Sequence, residues 1–180
     1  MSRVYQLKIM LMGSKPPIWR RITVDSKISL GELQEVIQIV MGWMNYHLHE
    51  FIDHNGTTYG TDDMGDLSDE LESEDNTCLR DVLYIVKQKL QYIYDFGDGW
   101  QHQITLEKIF EVDENEPLPH CLKGKNACPP EDCGGLYGYY ELLKVLADPK
   151  DERYEEMRDW MEDEFDPKLF DIDAVNKLFE

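Results

Sequence analysis

Tyr94-Asp95-Phe96-Gly97-Asp98-Gly99-Trp100-Gln101-His102 separates two runs of alternating apolar and polar residues. Before it, Leu90, Tyr92, Tyr94 and Phe96 alternate with Lys89, Gln91, Ile93 and Asp95. After it, Trp100, His102, Ile104 and Leu106 alternate with Gln101, Gln103, Thr105 and Glu107. Period-two alternation around a glycine-rich break predicts a β-hairpin. Two registers compete. A two-residue Asp98-Gly99 turn pairs Asp95 with His102, a carboxylate–imidazole couple, but sets Tyr92, Tyr94 and Phe96 on the face of Gln101, Gln103 and Thr105. A three-residue Gly97-Asp98-Gly99 loop, with Gly99 left-handed, pairs Phe96 with Trp100 and Tyr94 with His102. A one-residue slip inverts every side chain, so the shared apolar face selects the three-residue loop. On that register Asp95 turns away from His102, Asp98 serves turn chemistry at the tip, and His102 lies among core aromatics.

Upstream, Tyr5, Leu7, Ile9 and Leu11 alternate with Gln6, Lys8, Met10 and Met12. After Gly13-Ser14-Lys15-Pro16-Pro17, Ile18, Arg20, Ile22 and Val24 alternate with Trp19, Arg21, Thr23 and Asp25. The pattern predicts a second hairpin. Ser29-Leu30-Gly31-Glu32 is a capping box, and Leu30, Leu33, Val36, Ile37, Val40 and Met41 follow it at helical spacing, ending near Gly42. Residues 46–53 read as a strand with His47, His49 and Phe51 on one face, followed by an Asn55-Gly56 turn into Thr57-Thr58-Tyr59. Two histidines at i and i+2 of a strand can converge on a metal, although such pairs are more often structural. Eight acids fall in residues 62–75 without calcium-loop spacing, which predicts a solvated loop. Thr77 to Leu83 predicts a short helical turn capped by Thr77.

Residues 113–135 read as a loop, with prolines at 117, 119, 129 and 130. His120, Cys121, Cys128 and Cys133 lie there beside Glu131 and Asp132, and zinc is the metal such a set would take. The spacing lacks paired C-x2-C knuckles, which leaves free thiols as the competing reading. Three helical stretches follow: from Gly138 to Asp148-Pro149, roughly 151–162, and after Phe170. The expected fold is α+β, a β-grasp-like mixed sheet (ββαββ plus a further β-hairpin) with a C-terminal group of about three helices. It divides into 1–111 (sheet part), 112–135 (Cys/Pro loop) and 136–180 (helical part), within one composite domain over 1–180.

The chain has 180 residues and a formal net charge of −19. Such a field repels phosphates unless a basic patch overrides it. Arg20 and Arg21 are the one dense basic spot, and strand alternation sends them to opposite faces. Nucleic acid is therefore a disfavoured partner. No stretch is long and apolar enough for a membrane span or resembles a signal peptide. A cytoplasmic protein with reduced thiols is the expectation.

Four stretches occur in an order that resembles a known family: Tyr5 to Arg21 with Pro16-Pro17-Ile18-Trp19-Arg20-Arg21, Gly42-Trp43 with His47-Leu48-His49-Glu50-Phe51, the 94–102 stretch, and Pro129-Pro130-Glu131-Asp132-Cys133-Gly134-Gly135. Together they are similar to the Ri-plasmid (pRiA-type) open-reading-frame-three-like family, also met as an insertion-sequence passenger protein. The resemblance implies no established activity; it suggests a mobile-element accessory role.

Three functional readings follow. The first is a binding or interaction module with a groove lined by His47, His49, Tyr94, Trp100 and His102. The second is a metal-dependent, hydrolase-like enzyme drawing ligands from His47, His49, His102, Glu131 and Asp132. The third, a DNA-associated protein, runs against the charge. No nucleophile motif, phosphate-cradling loop or dinucleotide fingerprint is present. The 94–102 stretch, with Asp95 and Asp98, becomes a site if the His47–His49 segment and the Glu131-Asp132 loop come up beside it.

Overall fold

The structure is a computed structural model that describes residues 2–61, 71–112, 117–161 and 164–180. Among these residues eight strands form one sheet in the order β5-β4-β3-β6-β7-β1-β2-β8. The strands are β1 (Ser2–Leu11), β2 (Trp19–Asp25), β3 (His49–Ile52), β4 (Thr58–Gly60), β5 (Leu71–Ser73), β6 (Lys89–Tyr94), β7 (Trp100–Val112) and β8 (His120–Lys125). All neighbours run antiparallel except β4 and β5. The architecture is mixed α+β. The β-grasp expectation made residues 5–59 the frame and the 90–106 hairpin an addition. In the sheet that hairpin, β6–β7, stands between β1 and β3.

The helices are α1 (Leu30–Met41), α2 (Leu79–Val82), α3 (Gly135–Leu146), α4 (Tyr154–Met161) and α5 (Ile172–Lys177). In α1 both capping-box bonds form, from Glu32 N to Ser29 Oγ and from Ser29 N to Glu32 Oε2, and left-handed Gly42 ends the helix. Its Leu33, Ile37 and Val40 meet Leu7, Ile9, Leu90, Tyr92 and Ile104 of the sheet in one core, which Tyr139 of α3 joins. Arg20 is buried there too: its guanidinium donates to the carbonyls of Val40, Trp19 and Lys125 and stacks 3.9 Å from the Phe170 ring. Satisfied donors and a ring face make the burial of that charge tolerable.

Several expectations need correction. The β6–β7 hairpin pairs Tyr94 with Trp100 and Tyr92 with His102, so its connection has five residues, Asp95 to Gly99. A shift of two residues keeps every side chain on its predicted face. The cause is Asp95, left-handed at φ +55°, whose Oδ1 accepts from the amides of Gly97 and Asp98 while its carbonyl accepts from Gly99. The chain turns before Phe96 can pair, and Phe96 is exposed. The strand expected from residue 46 begins at His49, because left-handed Asn45 and a bend at His47 hold the chain off the ladder. Cys78, not Thr77, precedes α2, with no side-chain cap. The acidic stretch supplies β5 and a buried Glu74, and its residues 62–70 lie outside the described residues. The segment taken as a loop contains β8, and its residues 113–116 are likewise outside the described ones.

Candidate functional site

Three segments far apart in sequence meet at the end of the β6–β7 hairpin. Trp43, just past α1, is the hub. Its indole packs against Tyr94 and Trp100, with centroids 4.9 and 5.9 Å away, and its Nε1 donates to the Pro129 carbonyl at 3.0 Å. Pro129 opens the Pro-Pro-Glu-Asp-Cys-Gly-Gly loop, so this bond brings that loop to the sheet. A second tie lies at the hairpin tip, where Asp98 Oδ2 accepts from Gly134 N at 3.1 Å. A Cβ on Gly135 would stand 2.5 Å from the Asp98 carbonyl oxygen, and the residue's φ is +67°. Glycine is what allows this approach.

Between these ties the carboxylates converge. Glu131 accepts from the Met44 amide at 2.9 Å and from the Tyr94 hydroxyl at 3.1 and 3.2 Å. Burial and the Glu131 charge raise the Tyr94 phenol above its ordinary range, so it stays a neutral donor. His47 Nε2 lies 3.1 Å from Asp132 Oδ1, 3.7 Å from Asp95 Oδ2 and 3.8 Å from Glu131 Oε2. The nitrogen is buried and forms no hydrogen bond of acceptable geometry, the 3.1 Å approach included. Proximity without alignment leaves this nitrogen beside the carboxylates without a directed bond to any of them. Asp95 is nearly enclosed and Asp132 is open, at 9% and 67% side-chain exposure, so the cluster has a closed floor and one solvent side. His47, Asp95 and Asp132 place ligand atoms within 4.8 Å of one another.

The other expected site residues go elsewhere. His49 is hydrogen-bonded to Glu74, its Nε2 2.8 and 3.0 Å from the two carboxylate oxygens, with both side chains buried. A groove of about 420 Å³ runs past it and His47, lined also by Glu35, Asn45 and Asp75. Trp100 and His102 are buried in the core, so neither lines the groove. His102 packs edge-on against Trp43 and beside Tyr92. Among the described residues, His120, Cys121, Cys128 and Cys133 form no group of converging ligand atoms, and the four cysteines are free thiols. Cys121 faces the core from β8, and burial pushes the Cys133 thiol up to about 12.

The matching stretches extend beyond this site. Residues 3–174 match the family described as plasmid pRiA4b ORF-3-like protein. The chain belongs to that family. It is 35% identical over 181 residues to the uncharacterized protein y4hQ of Sinorhizobium fredii, covering 99% of this chain and 92% of that one. It also resembles the crystal structure of a protein of unknown function, MM3350, from Methanosarcina mazei Go1. There the identity is 40% and the TM-score 0.87, with 97% of this chain and 98% of the other covered.

Two residues escaped the sequence reading. Trp43 stood in a quoted motif, but nothing in its spacing marked it as the joint between loop and sheet. Glu74 lay in an acidic run that offered no reason to single out one buried carboxylate.

Proposed function

We propose that this pRiA4b ORF-3-like protein is a binding module built around a divalent-cation centre. One observation carries the reading: His47, Asp95 and Asp132 bring ligand atoms within 4.8 Å of one another, and a third carboxylate, Glu131, lies 3.8 Å from the same imidazole nitrogen. Three carboxylates around one imidazole leave excess negative charge whichever way the ring titrates, and a partly enclosed site of that sign favours a cation. One nitrogen with oxygens suits a borderline first-row ion such as Mn2+, Fe2+ or Zn2+ better than Ca2+, which prefers oxygens alone. His47, Asp95 and Asp132 would hold the ion, with Glu131 beside them tied to Tyr94 and Met44, and the exposed Asp132 side would admit a ligand.

Metal-dependent hydrolysis is the second reading, favoured by that open side, since an ion with a free position can bind and acidify water. The plasmid in the family description supports an accessory role with mobile elements for either version.

The test is metal analysis of untagged protein purified without chelator, with calorimetric titration of Mn2+ and Zn2+ into stripped protein. About one equivalent bound, lost in His47→Ala, is the expected result. No bound ion in either experiment, together with a melting temperature indifferent to EDTA, overturns the centre.

A further inference from the structure

The face of the sheet turned away from the core carries a line of cations set by strand register. Lys89 of β6 pairs with Thr105 of β7, Thr105 with Lys8 of β1, Lys8 with Arg21 of β2, and Arg21 with Lys123 of β8. Two residues along, Gln91, Gln103, Met10, Trp19 and Lys125 form a second line on the same face. The intervening Leu90, Ile104, Ile9 and Arg20 point into the core, as alternation demands. The two lines hold five of the chain's 18 Lys and Arg and no carboxylate, in a protein of net charge −19.

Strand spacing makes each line about 19 Å long, with about 7 Å between them. A hollow of about 530 Å³ opens on this face, lined by Lys87, Lys89, Gln91, Gln103 and Met12, with Asp53 as the one carboxylate on its wall. Lys8 and Arg21 lie 5.5 and 5.2 Å from the Trp19 ring centroid. Glu107 takes Arg21 in a two-pronged pair at 2.6 and 2.8 Å and also feels the charge of Lys8, so of the four lysines on the lines Lys89, Lys123 and Lys125 stand clear of it.

We propose that this face binds single-stranded nucleic acid, with phosphates along Lys89, Lys8, Lys123 and Lys125 and bases against the glutamines, Met10 and Trp19. Lysines that track a backbone beside an aromatic ring and hydrogen-bonding amides are the surface such strands use. The strip is two rows wide, and Glu107 flanks it at Arg21 while Glu50 stands at the far edge opposite Ile93, so one backbone fits where a duplex would meet acids. The net charge governs the far field, which salt screens within about 8 Å at physiological ionic strength. Contact is governed by the strip.

Fluorescence anisotropy with labelled 20-mer dT and U oligonucleotides tests this on the full chain, in EDTA so that the His47 cluster carries no ion. With about four phosphate contacts, affinity should fall about 50-fold between 50 and 200 mM salt. Lys8→Glu with Lys123→Glu should weaken binding at least tenfold with an unchanged circular dichroism spectrum. Lys89→Ala with Lys125→Ala should weaken it threefold or more, and this pair decides the matter if the first variant misfolds. Lys144→Glu, on α3, should change nothing. No anisotropy change at 50 mM salt overturns the proposal, as does binding that survives both folded variants. Displacement of the oligonucleotide by an equal concentration of polyglutamate of matched length also overturns it, in favour of an acidic protein partner.

Discussion

His47 Nε2 stands 3.7 Å from Asp95 Oδ2, and through that contact the hairpin loop joins the site. The two oxygens of Asp95 do different work. Oδ1 holds the loop through the amides of Gly97 and Asp98, while Oδ2 faces the imidazole. Asp95→Asn keeps a loop acceptor and suits a left-handed backbone, but removes the charge. It should lower Mn2+ or Zn2+ affinity tenfold or more in calorimetry while costing less than about 1 kcal/mol in urea unfolding. Asp95→Ala should cost about 1–3 kcal/mol, because the loop amides lose their partner.

Trp43 separates packing from positioning. Trp43→Phe preserves most of the ring contact and removes the bond to the Pro129 carbonyl. A loss of about 1–2 kcal/mol in denaturant unfolding is expected, with weaker cation binding as the Glu131-Asp132 loop loosens. Trp43→Ala should cost about 3–5 kcal/mol through the cavity it leaves.

The Asp98–Gly134 tie depends on glycine. Gly135→Ala puts a methyl group 2.5 Å from the Asp98 carbonyl oxygen at φ +67°. We expect a cost of about 1–3 kcal/mol by thermal unfolding. Cation affinity should fall in the same variant, since the loop cannot shift without carrying Asp132 with it.

His102 sets a pH dependence. Complete burial lowers its pKa from 6.5 to about 4. Between those values the unfolded chain binds a proton that the folded chain refuses, so stability rises with pH across this window and is lost as pH falls through it. The difference corresponds to about 3 kcal/mol as an upper figure. Urea unfolding at pH 7 and pH 4.5 should show the decline, and His102→Leu should flatten it. A wild-type curve level from pH 7 to 4.5 would refute the assignment.

The faces of the strands, the capped helix and the position of the hairpin are written in local spacing. Alternation placed Tyr92, Tyr94, Trp100 and His102 on one side even though the loop is two residues longer than the three expected. The extra residues reflect Asp95, whose left-handed backbone and side-chain cap leave no mark on hydrophobic periodicity. Among the site residues, the chain supplied the identities of His47, Asp95, Glu131 and Asp132 but grouped them with His49 and His102. The first of these pairs with Glu74, and the second lies sealed in the core.

The sequence by itself determined which residues each strand turns inward, because side-chain direction repeats every two residues along the chain. It sent Arg20 inward and Arg21 outward, and so read no basic stripe. Tertiary structure decided what stands beside Arg21: Lys8 and Lys123 arrive from other strands, at the spacing of the ladder and not of the sequence. The same holds for the cluster at His47, whose members come from three segments joined by the Trp43 and Asp98 contacts. Pairing partners are chosen by the whole sheet closing on its core, and no window of residues contains that choice.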